Sequence, residues 1–221
     1  MIPEPLDAVV FDMDGLLLDT ESLFRTATFA VCAKLGHRMV DEVHLRLLGI
    51  PREAGNALLI EHFGESFDVA TYDRECTAHY DELCHDSVPL RPGALRLLAV
   101  LQQRRMPMAV ATSTERAKAE KHLRKAGILD VFGALVTRSD VSRGKPHPES
   151  FLKAAGALGV RPARCLALED SHNGVRAAAA AGMATIMIPD LLAPTDDIRA
   201  LCVGVLPSLH DVAALLETPF A

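Results

Sequence analysis

Residues 8–15 read Ala8-Val9-Val10-Phe11-Asp12-Met13-Asp14-Gly15, an apolar run that leads into two carboxylates and a glycine. The apolar half is typical of a buried strand, and side chains at i and i+2 of an extended segment point to the same side. When two carboxylates are held close together, their repulsion raises the pKa of one of them unless a cation or a proton lies between them. The spacing of Asp12 and Asp14 therefore suggests metal-assisted acid/base or nucleophilic chemistry, although two solvated aspartates at a strand end would give the same pattern.

Short runs rich in Val, Ile, Leu and Ala recur along the chain and have the length of strands. They are Leu6–Asp12, Met106–Thr112, Phe132–Thr137, Ala163–Asp170, Met183–Ile188 and Leu201–Leu206. Nearly continuous hydrophobicity of this kind is typical of parallel strands that are covered on both faces. Segments with helical spacing lie between them, namely Gly93–Arg104, Thr114–Ala126, Pro148–Leu158 and Asn173–Ala181. The alternation predicts an α/β fold with a doubly wound parallel sheet.

Residues 17–88 interrupt this alternation, because they show helical periodicity and no convincing strand. We therefore predict an α/β core domain formed by residues 1–16 and 89–221, with an all-helical cap domain inserted at residues 17–88. Ligands of open α/β sheets bind beyond the carboxyl ends of the strands, where the loop after Asp12 leads into the insert. The insert is accordingly expected to lie over the site as a lid.

Composition and charge narrow the class of protein. The chain has 221 residues, of which 49% are hydrophobic, as in a well-packed globular protein. A formal net charge of −6 argues against a surface for nucleic acid or anionic membranes. No signal peptide or membrane-spanning stretch is evident, and five scattered cysteines, an odd number, fit reduced thiols. We expect a soluble cytoplasmic protein, a monomer or weak dimer, that binds neither nucleic acid nor membrane.

Polar side chains follow several of the predicted strands, and a parallel sheet would gather them at one edge. They are Asp12 and Asp14, Thr112 and Ser113, and Glu169 and Asp170, with Lys145 in a loop. A hard cation such as Mg²⁺ takes oxygen ligands and keeps several waters. Asp12, Asp14 and Asp170 would suit it, together with a phosphate group of the substrate.

A phosphoryl group under attack spreads negative charge over its equatorial oxygens, which need an ammonium and neutral hydrogen-bond donors. Lys145, the Thr112 hydroxyl and the backbone N–H groups around Met13 and Ser113 would supply them. Each residue alone also has a purely structural explanation, such as a helix cap at Thr112 or a solvated loop lysine at Lys145. Taken together, these residues predict a metal and phosphoryl site.

Four segments, in this order, resemble the signature motifs of the haloacid dehalogenase superfamily of phosphohydrolases: FDMDGLLLDTE (11–21), AVATSTER (109–116), RGKPHPESF (143–151) and ALEDSHNG (167–174). The length and position of the insert resemble the helical cap of the β-phosphoglucomutase-like subfamily. The resemblance implies a Mg²⁺-dependent phosphoric monoester hydrolase that forms an aspartyl phosphate. Its substrate would be a small phosphorylated metabolite, either a sugar phosphate or a nucleoside monophosphate.

The resemblance also implies a role for each matching residue. Asp12 would be the nucleophile, and Asp14 would act first as general acid and then as general base. Thr112 and Lys145 would hold the phosphoryl group. The implied metal ligands are Asp12, Asp14, Glu169 and Asp170, with Glu169 acting directly or through water.

Three further residues are candidates for supporting roles. Arg52, at the end of the stretch Gly49–Arg52, matches a cap arginine that faces the substrate in relatives, although a solvated arginine near a helix start would look the same. Ser171 and Asn173 are expected either to orient Asp170 or to cap the helix that follows.

Other activities remain open. Phosphoglucomutase-type transfer between sugar hydroxyls is disfavoured, because the position of the proton-shuttling histidine of those mutases falls at Phe24. A dehalogenase would lack a second aspartate at the place of Asp14, and phosphonate hydrolysis uses a cap lysine, for which the insert offers only Lys34. A non-catalytic phosphoryl-accepting or ligand-binding module would share the sheet. Mg²⁺-dependent turnover separates that class from a phosphatase.

Overall fold

The protein, seen in a computed structural model, divides into two compact units. One unit comprises Met1–Asp19 and Val88–Ala221, and the other comprises Thr20–Ser87. The structure describes residues 2–48, 50 and 52–217. Met1 and residues 218–221 of the predicted core domain lie outside the described residues. So do Gly49 and Pro51, which are close in the chain to the predicted substrate contact at Arg52.

The unit of residues 20–87 is helical. Its helices are α1 (Thr20–Lys34), α2 (Asp41–Leu47), α3 (Arg52–Phe63) and α4 (Val69–Leu83). The helices α1 and α4 pack against each other, and the Tyr72 hydroxyl donates to Oγ1 of the buried Thr28 at 3.3 Å. Asp68 caps α4 by accepting a hydrogen bond from the Thr71 N–H at 3.0 Å. The described part of this unit contains no strand.

The α/β unit is built on a parallel sheet. Its strands are β1 (Ala8–Phe11), β2 (Met108–Ala111), β3 (Ala134–Val136), β4 (Cys165–Glu169), β5 (Ala184–Met187) and β6 (Gly204–Val205). Their order in the sheet is β3-β2-β1-β4-β5-β6, and neighbouring strands are parallel throughout. The central strand β1 is fully buried, with Val10 paired to Ala109 on one side and to Ala167 on the other. The predicted doubly wound parallel sheet is confirmed.

Helices connect the strands of this unit, and every residue of β1, β2 and β4 is buried. They are α5 (Ala94–Gln103), α6 (Arg116–Lys125), α7 (Glu149–Ala157), α8 (His172–Ala180), α9 (Asp196–Leu201) and α10 (Leu209–Glu217). Short 3₁₀-helices lie at Leu129–Val131, Arg138–Asp140 and Pro162–Arg164. The four predicted helices of the core are confirmed, whereas the periodicity does not predict α9 and α10. Among the residues that the structure describes, no helix combines the length and the hydrophobicity of a membrane span.

The sheet order decides where a site can form. β1 lies between β2 and β4, and all three strands run in the same direction. The residues that follow β1 and β2 and the last residue of β4 therefore meet at one edge. These are Asp12, Thr112 and Glu169.

Candidate active site

Asp12 is the first residue after β1, and it is almost completely buried, with 7% of its surface exposed. Its backbone N–H donates to the Leu168 carbonyl on β4 at 2.9 Å, which continues the sheet past the end of the strand. The Asp12 carboxylate is therefore held beside the carboxyl end of β4. The backbone that carries this carboxylate is fixed by the sheet rather than by a loop.

Lys145 reaches this edge from the loop before α7, and its ammonium is shared by two carboxylates. Nζ donates to Oδ1 of Asp12 and, at 2.5 Å, to Oε1 of Glu169. The exposed fractions of the three side chains are 6% for Lys145, 10% for Asp12 and 0% for Glu169. Because the charges are desolvated, removing one partner of such a group would be costly.

Glu169 is the last residue of β4, and its second oxygen is held by the start of α8. Oε2 accepts from the backbone N–H of Asp170 at 3.1 Å, from the N–H of Ser171 at 3.2 Å and from the Ser171 hydroxyl at 3.0 Å. Ser171 also caps α8 by accepting from the Gly174 N–H at 3.1 Å. Ser171 thus caps α8, which was one of the two roles expected for it. It also orients Glu169.

Three carboxylates meet at the same edge. One oxygen each of Asp12, Glu169 and Asp170 lies within 4.8 Å of the other two. Lys145 supplies a single positive charge to this group, so negative charge remains in excess. A hard divalent cation with oxygen ligands would neutralise it, and the arrangement of the donors fits such an ion.

Gly15 makes room for this group of carboxylates. It has a positive φ of 80°, which favours glycine, and a Cβ at this position would overlap Oδ2 of Asp170. The backbone turn after Asp14 therefore approaches Asp170 as closely as only glycine allows.

Asp14 is oriented differently from Asp12. Its Oδ2 accepts from the Thr114 hydroxyl at 2.7 Å and from the Thr112 hydroxyl at 3.4 Å, both in the loop after β2. The argument that these two aspartates share one side of an extended segment does not apply, because β1 already ends at Phe11. The Asp14 carboxylate is not one of the three grouped carboxylates, and its ligation of a metal stays a prediction.

Burial and neighbouring charges together shift the pKa values of Asp12 and Lys145. Burial raises the pKa of Asp12 to about 8, with the Lys145 ammonium opposing the rise and the carboxylates of Glu169 and Asp14 adding to it. Burial by itself would lower the pKa of Lys145, but attraction and hydrogen bonds to Asp12 and Glu169 raise it above its ordinary value. Lys145 therefore stays charged, and its charge alone does not return the pKa of Asp12 to its ordinary value.

The other predicted residues lie as follows. Met13 is fully buried, and its carbonyl accepts from the N–H groups of Leu17 and Leu18, both at 3.0 Å, while Ser113 is exposed in the loop after β2. Asn173 is exposed in the first turn of α8.

Arg52 is the first residue of α3 in the helical unit. Its Nη1 lies 3.9 Å from Oδ2 of Asp73. Contact of Arg52 with a substrate stays a prediction, as do the roles of Met13, Ser113 and Asn173.

Two polar groups at the same edge were missed by the sequence reasoning. Thr114 lies two residues after Thr112 within the motif AVATSTER (109–116), so its position was a usable signal. Asp190 follows β5 by three residues, and the rule that polar groups gather at strand ends could have found it. Its partner Arg91 lies in an unremarkable stretch before α5, and only the structure identifies it.

Comparisons with known proteins agree with this geometry. Residues 6–182 match a family model described as haloacid dehalogenase-like hydrolase. Probable pseudouridine-5'-phosphatase of Drosophila melanogaster is 38% identical over 187 residues, which cover 82% of this chain and 80% of that protein. Phosphorylated carbohydrates phosphatase of Thermotoga maritima is 31% identical over 212 residues, which cover 96% of this chain and 91% of that protein.

A solved structure shows the same likeness. The crystal structure of a HAD family hydrolase from Deinococcus radiodurans, with bound phosphate and sodium, superimposes with a TM-score of 0.82 at 30% identity. The match covers 97% of each of the two chains. The similarity therefore extends over nearly the whole chain in both sequence and fold.

Proposed function

This chain belongs to the haloacid dehalogenase-like hydrolases, and on that premise we propose that it is a Mg²⁺-dependent phosphatase that hydrolyses a small phosphomonoester through an aspartyl phosphate on Asp12. The observation that carries the proposal is the meeting of three carboxylates and the Lys145 ammonium at the carboxyl edge of the sheet. This combination supplies a nucleophile and a fixed positive charge at one place.

The reaction would proceed in two displacements at phosphorus. In the first, a carboxylate oxygen of Asp12 bonds to phosphorus as the bond to the leaving oxygen breaks, and Asp14 gives its proton to that oxygen. In the second, water attacks the phosphorus of the aspartyl phosphate, Asp14 takes the proton, and the bond to Asp12 breaks. Inorganic phosphate leaves, and both aspartates return to their starting states.

The remaining residues would hold charge in place during these steps. Lys145, which donates a hydrogen bond to Asp12, would donate to the phosphoryl oxygens when these carry the negative charge. The Thr112 hydroxyl would donate to one of the same oxygens. Asp12 and Asp170 would hold Mg²⁺, assisted by Glu169 and Asp14. When bound, Mg²⁺ would stabilise the negative charge of the phosphoryl oxygens.

The primary test is release of phosphate from p-nitrophenyl phosphate and from a panel of phosphorylated sugars and nucleoside monophosphates, with Mg²⁺ and with a chelator. We expect turnover that the chelator abolishes. Asp12→Asn should lower kcat by at least about 10³-fold, since it removes the nucleophile. The matched control is Asp130→Asn, a change at an exposed residue, which should leave kcat unchanged. Near wild-type turnover by Asp12→Asn would refute the assignment.

The acid role of Asp14 is tested by varying the leaving group. Asp14→Asn should lower kcat/KM for an alkyl phosphate by about 10²–10⁴-fold, whereas p-nitrophenyl phosphate, whose leaving group scarcely needs a proton, should lose less. Equal losses on both substrates would contradict the role. A common aspartyl phosphate further predicts that glycerol and water compete for the phosphoryl group in one ratio, whichever substrate supplied it.

The names of the relatives favour a phosphorylated sugar or a nucleotide as substrate. The helical unit of residues 20–87 would act as a cap that supplies specificity contacts, with Arg52 as the first candidate. The scattered cysteines favour a cytoplasmic setting. With a sugar phosphate as substrate, free phosphate as the product would support hydrolysis, and an isomeric sugar phosphate would point to a mutase instead.

A further inference from the structure

Asp19, Arg91 and Asp190 form a partly buried group of charges in the α/β unit. Nη1 of Arg91 lies 2.8 Å from Oδ1 of Asp190 and 3.6 Å from Oδ1 of Asp19. The exposed fractions of the side chains are 23% for Arg91, 9% for Asp190 and 29% for Asp19. One guanidinium is shared by two carboxylates, so this group carries an excess of negative charge.

The second carboxylate oxygen of Asp190 is an unsatisfied hydrogen-bond acceptor among the described residues. Oδ2 is buried and has no hydrogen-bond partner among the described residues, because Arg91 takes only Oδ1. Leaving a buried acceptor unsatisfied costs about 1–3 kcal/mol, and more for a charged group. Native proteins rarely keep such an atom unless a bound group completes its hydrogen bonds.

The position of this oxygen indicates which group could donate hydrogen bonds to it. Oδ2 of Asp190 lies 3.5 Å from the point that a Cβ of Gly15 would occupy, and Oδ2 of Asp170 lies against the same point. Both carboxylates therefore lie beside the Gly15 turn, with Asp170 following β4 and Asp190 following the neighbouring β5. Two carboxylates beside the same turn repel each other unless positive charge or proton donors lie with them.

We infer that Asp190, oriented by Arg91, is a positioning residue of the metal site, where its free oxygen accepts hydrogen bonds from the water ligands of the cation held by Asp12 and Asp170. The inference rests on the metal site of the proposed function and adds a residue to it. Mg²⁺ keeps several waters in such sites, and outer carboxylates that bind those waters hold the ion in place. Asp190 would thus set the affinity for the metal without touching the reacting atoms.

The test is metal binding to the full chain without substrate, measured by calorimetry with Mg²⁺ and by electron paramagnetic resonance with Mn²⁺. Asp190→Asn keeps the shape and the oxygen that faces Arg91, and it should raise the Kd of the metal by about 10-fold. The matched control is Asp197→Asn, which removes an exposed carboxylate paired with Arg176 in the same unit and should leave Kd unchanged.

Circular dichroism melts without metal separate a structural role from this one. A merely structural Asp190 would lower the melting temperature of Asp190→Asn and leave Kd as in the wild type. At saturating Mg²⁺, kcat should return to the wild-type value, while the Mg²⁺ concentration for half-maximal rate stays raised. If Asp190→Asn does not fold, Asp190→Glu keeps the charge but displaces the oxygen, and it should also weaken binding.

The outcomes distinguish this inference from the proposed function. If the wild type binds no metal, the proposed metal site fails. If the wild type binds and Asp170→Asn abolishes binding, the metal site stands. A Kd within twofold of wild type for both Asp190→Asn and Asp190→Glu would then overturn the role of Asp190 alone.

Discussion

Replacing Gly174 by alanine should destabilise this protein, although glycine to alanine in a helix ordinarily stabilises by about 0.5–1 kcal/mol. Gly174 lies in the first turn of α8, and a Cβ there would overlap the carboxyl carbon and both oxygens of Glu169. The backbone of Gly174 is held by its own hydrogen bond to Ser171, so the carboxylate is the group that must move.

The magnitude follows from what Glu169 loses when it moves. Its carboxylate is fully buried, accepts three hydrogen bonds from Asp170 and Ser171, and pairs with Lys145. Breaking a buried ion pair costs about 3–5 kcal/mol, which outweighs the gain in helix propensity and leaves a net loss of about 2–4 kcal/mol. In a chain of this length the melting temperature should fall by about 5–15 °C.

The assay is thermal unfolding followed by circular dichroism, with Gly156→Ala as the matched control. Gly156 lies in α7, where a Cβ would meet no described atom within 4 Å, so alanine there should raise the melting temperature by about 1–4 °C. Gly174→Ala should also bind metal less tightly, because Glu169 is one of the three grouped carboxylates. A Gly174→Ala protein that melts at or above the wild-type temperature would refute the reasoning.

Two further predictions concern Thr114 and His44. Thr114→Val removes the 2.7 Å hydrogen bond to Asp14 and should lower kcat for an alkyl phosphate by about tenfold while sparing p-nitrophenyl phosphate, and Thr114→Ser, which keeps the donor, should restore it. Burial, and then the charge of Arg25, lowers the pKa of His44, which is 1% exposed and has no hydrogen-bond partner among the described residues. The unfolded chain therefore binds more protons than the folded one as the pH falls below about 6.5, and the free energy of unfolding should drop between about pH 7.5 and pH 5.5. Urea unfolding of His44→Phe should show a smaller drop, whereas the same drop as in the wild type and in the exposed control His85→Gln would count against this origin.

Much of the fold follows from local features of the sequence. Apolar runs of strand length predict the six strands, because a strand covered on both faces must be apolar on both. The helix α10 escapes prediction although it has nine residues, as many as the predicted α7 and α8, so its length does not explain the miss. The helix α9 has only six residues. A face repeated over so few turns is a weak periodic signal.

The sequence by itself determined which residues could meet at the edge of the sheet. Asp12, Thr112 and Glu169 end or follow strands, and parallel strands bring their carboxyl ends to one edge of the sheet. Lys145 was recognised from its motif, 133 residues along the chain from Asp12.

Only the tertiary structure decided how these groups pair. Asp14 faces the threonines after β2 rather than Asp12, and Asp190 lies near Asp170 because β5 neighbours β4. Arg91 pairs with Asp190 across 99 residues. These pairings depend on which charged side chains packing brings together, because a buried charge is costly unless it is paired. No local pattern in the sequence encodes which distant segments pack together.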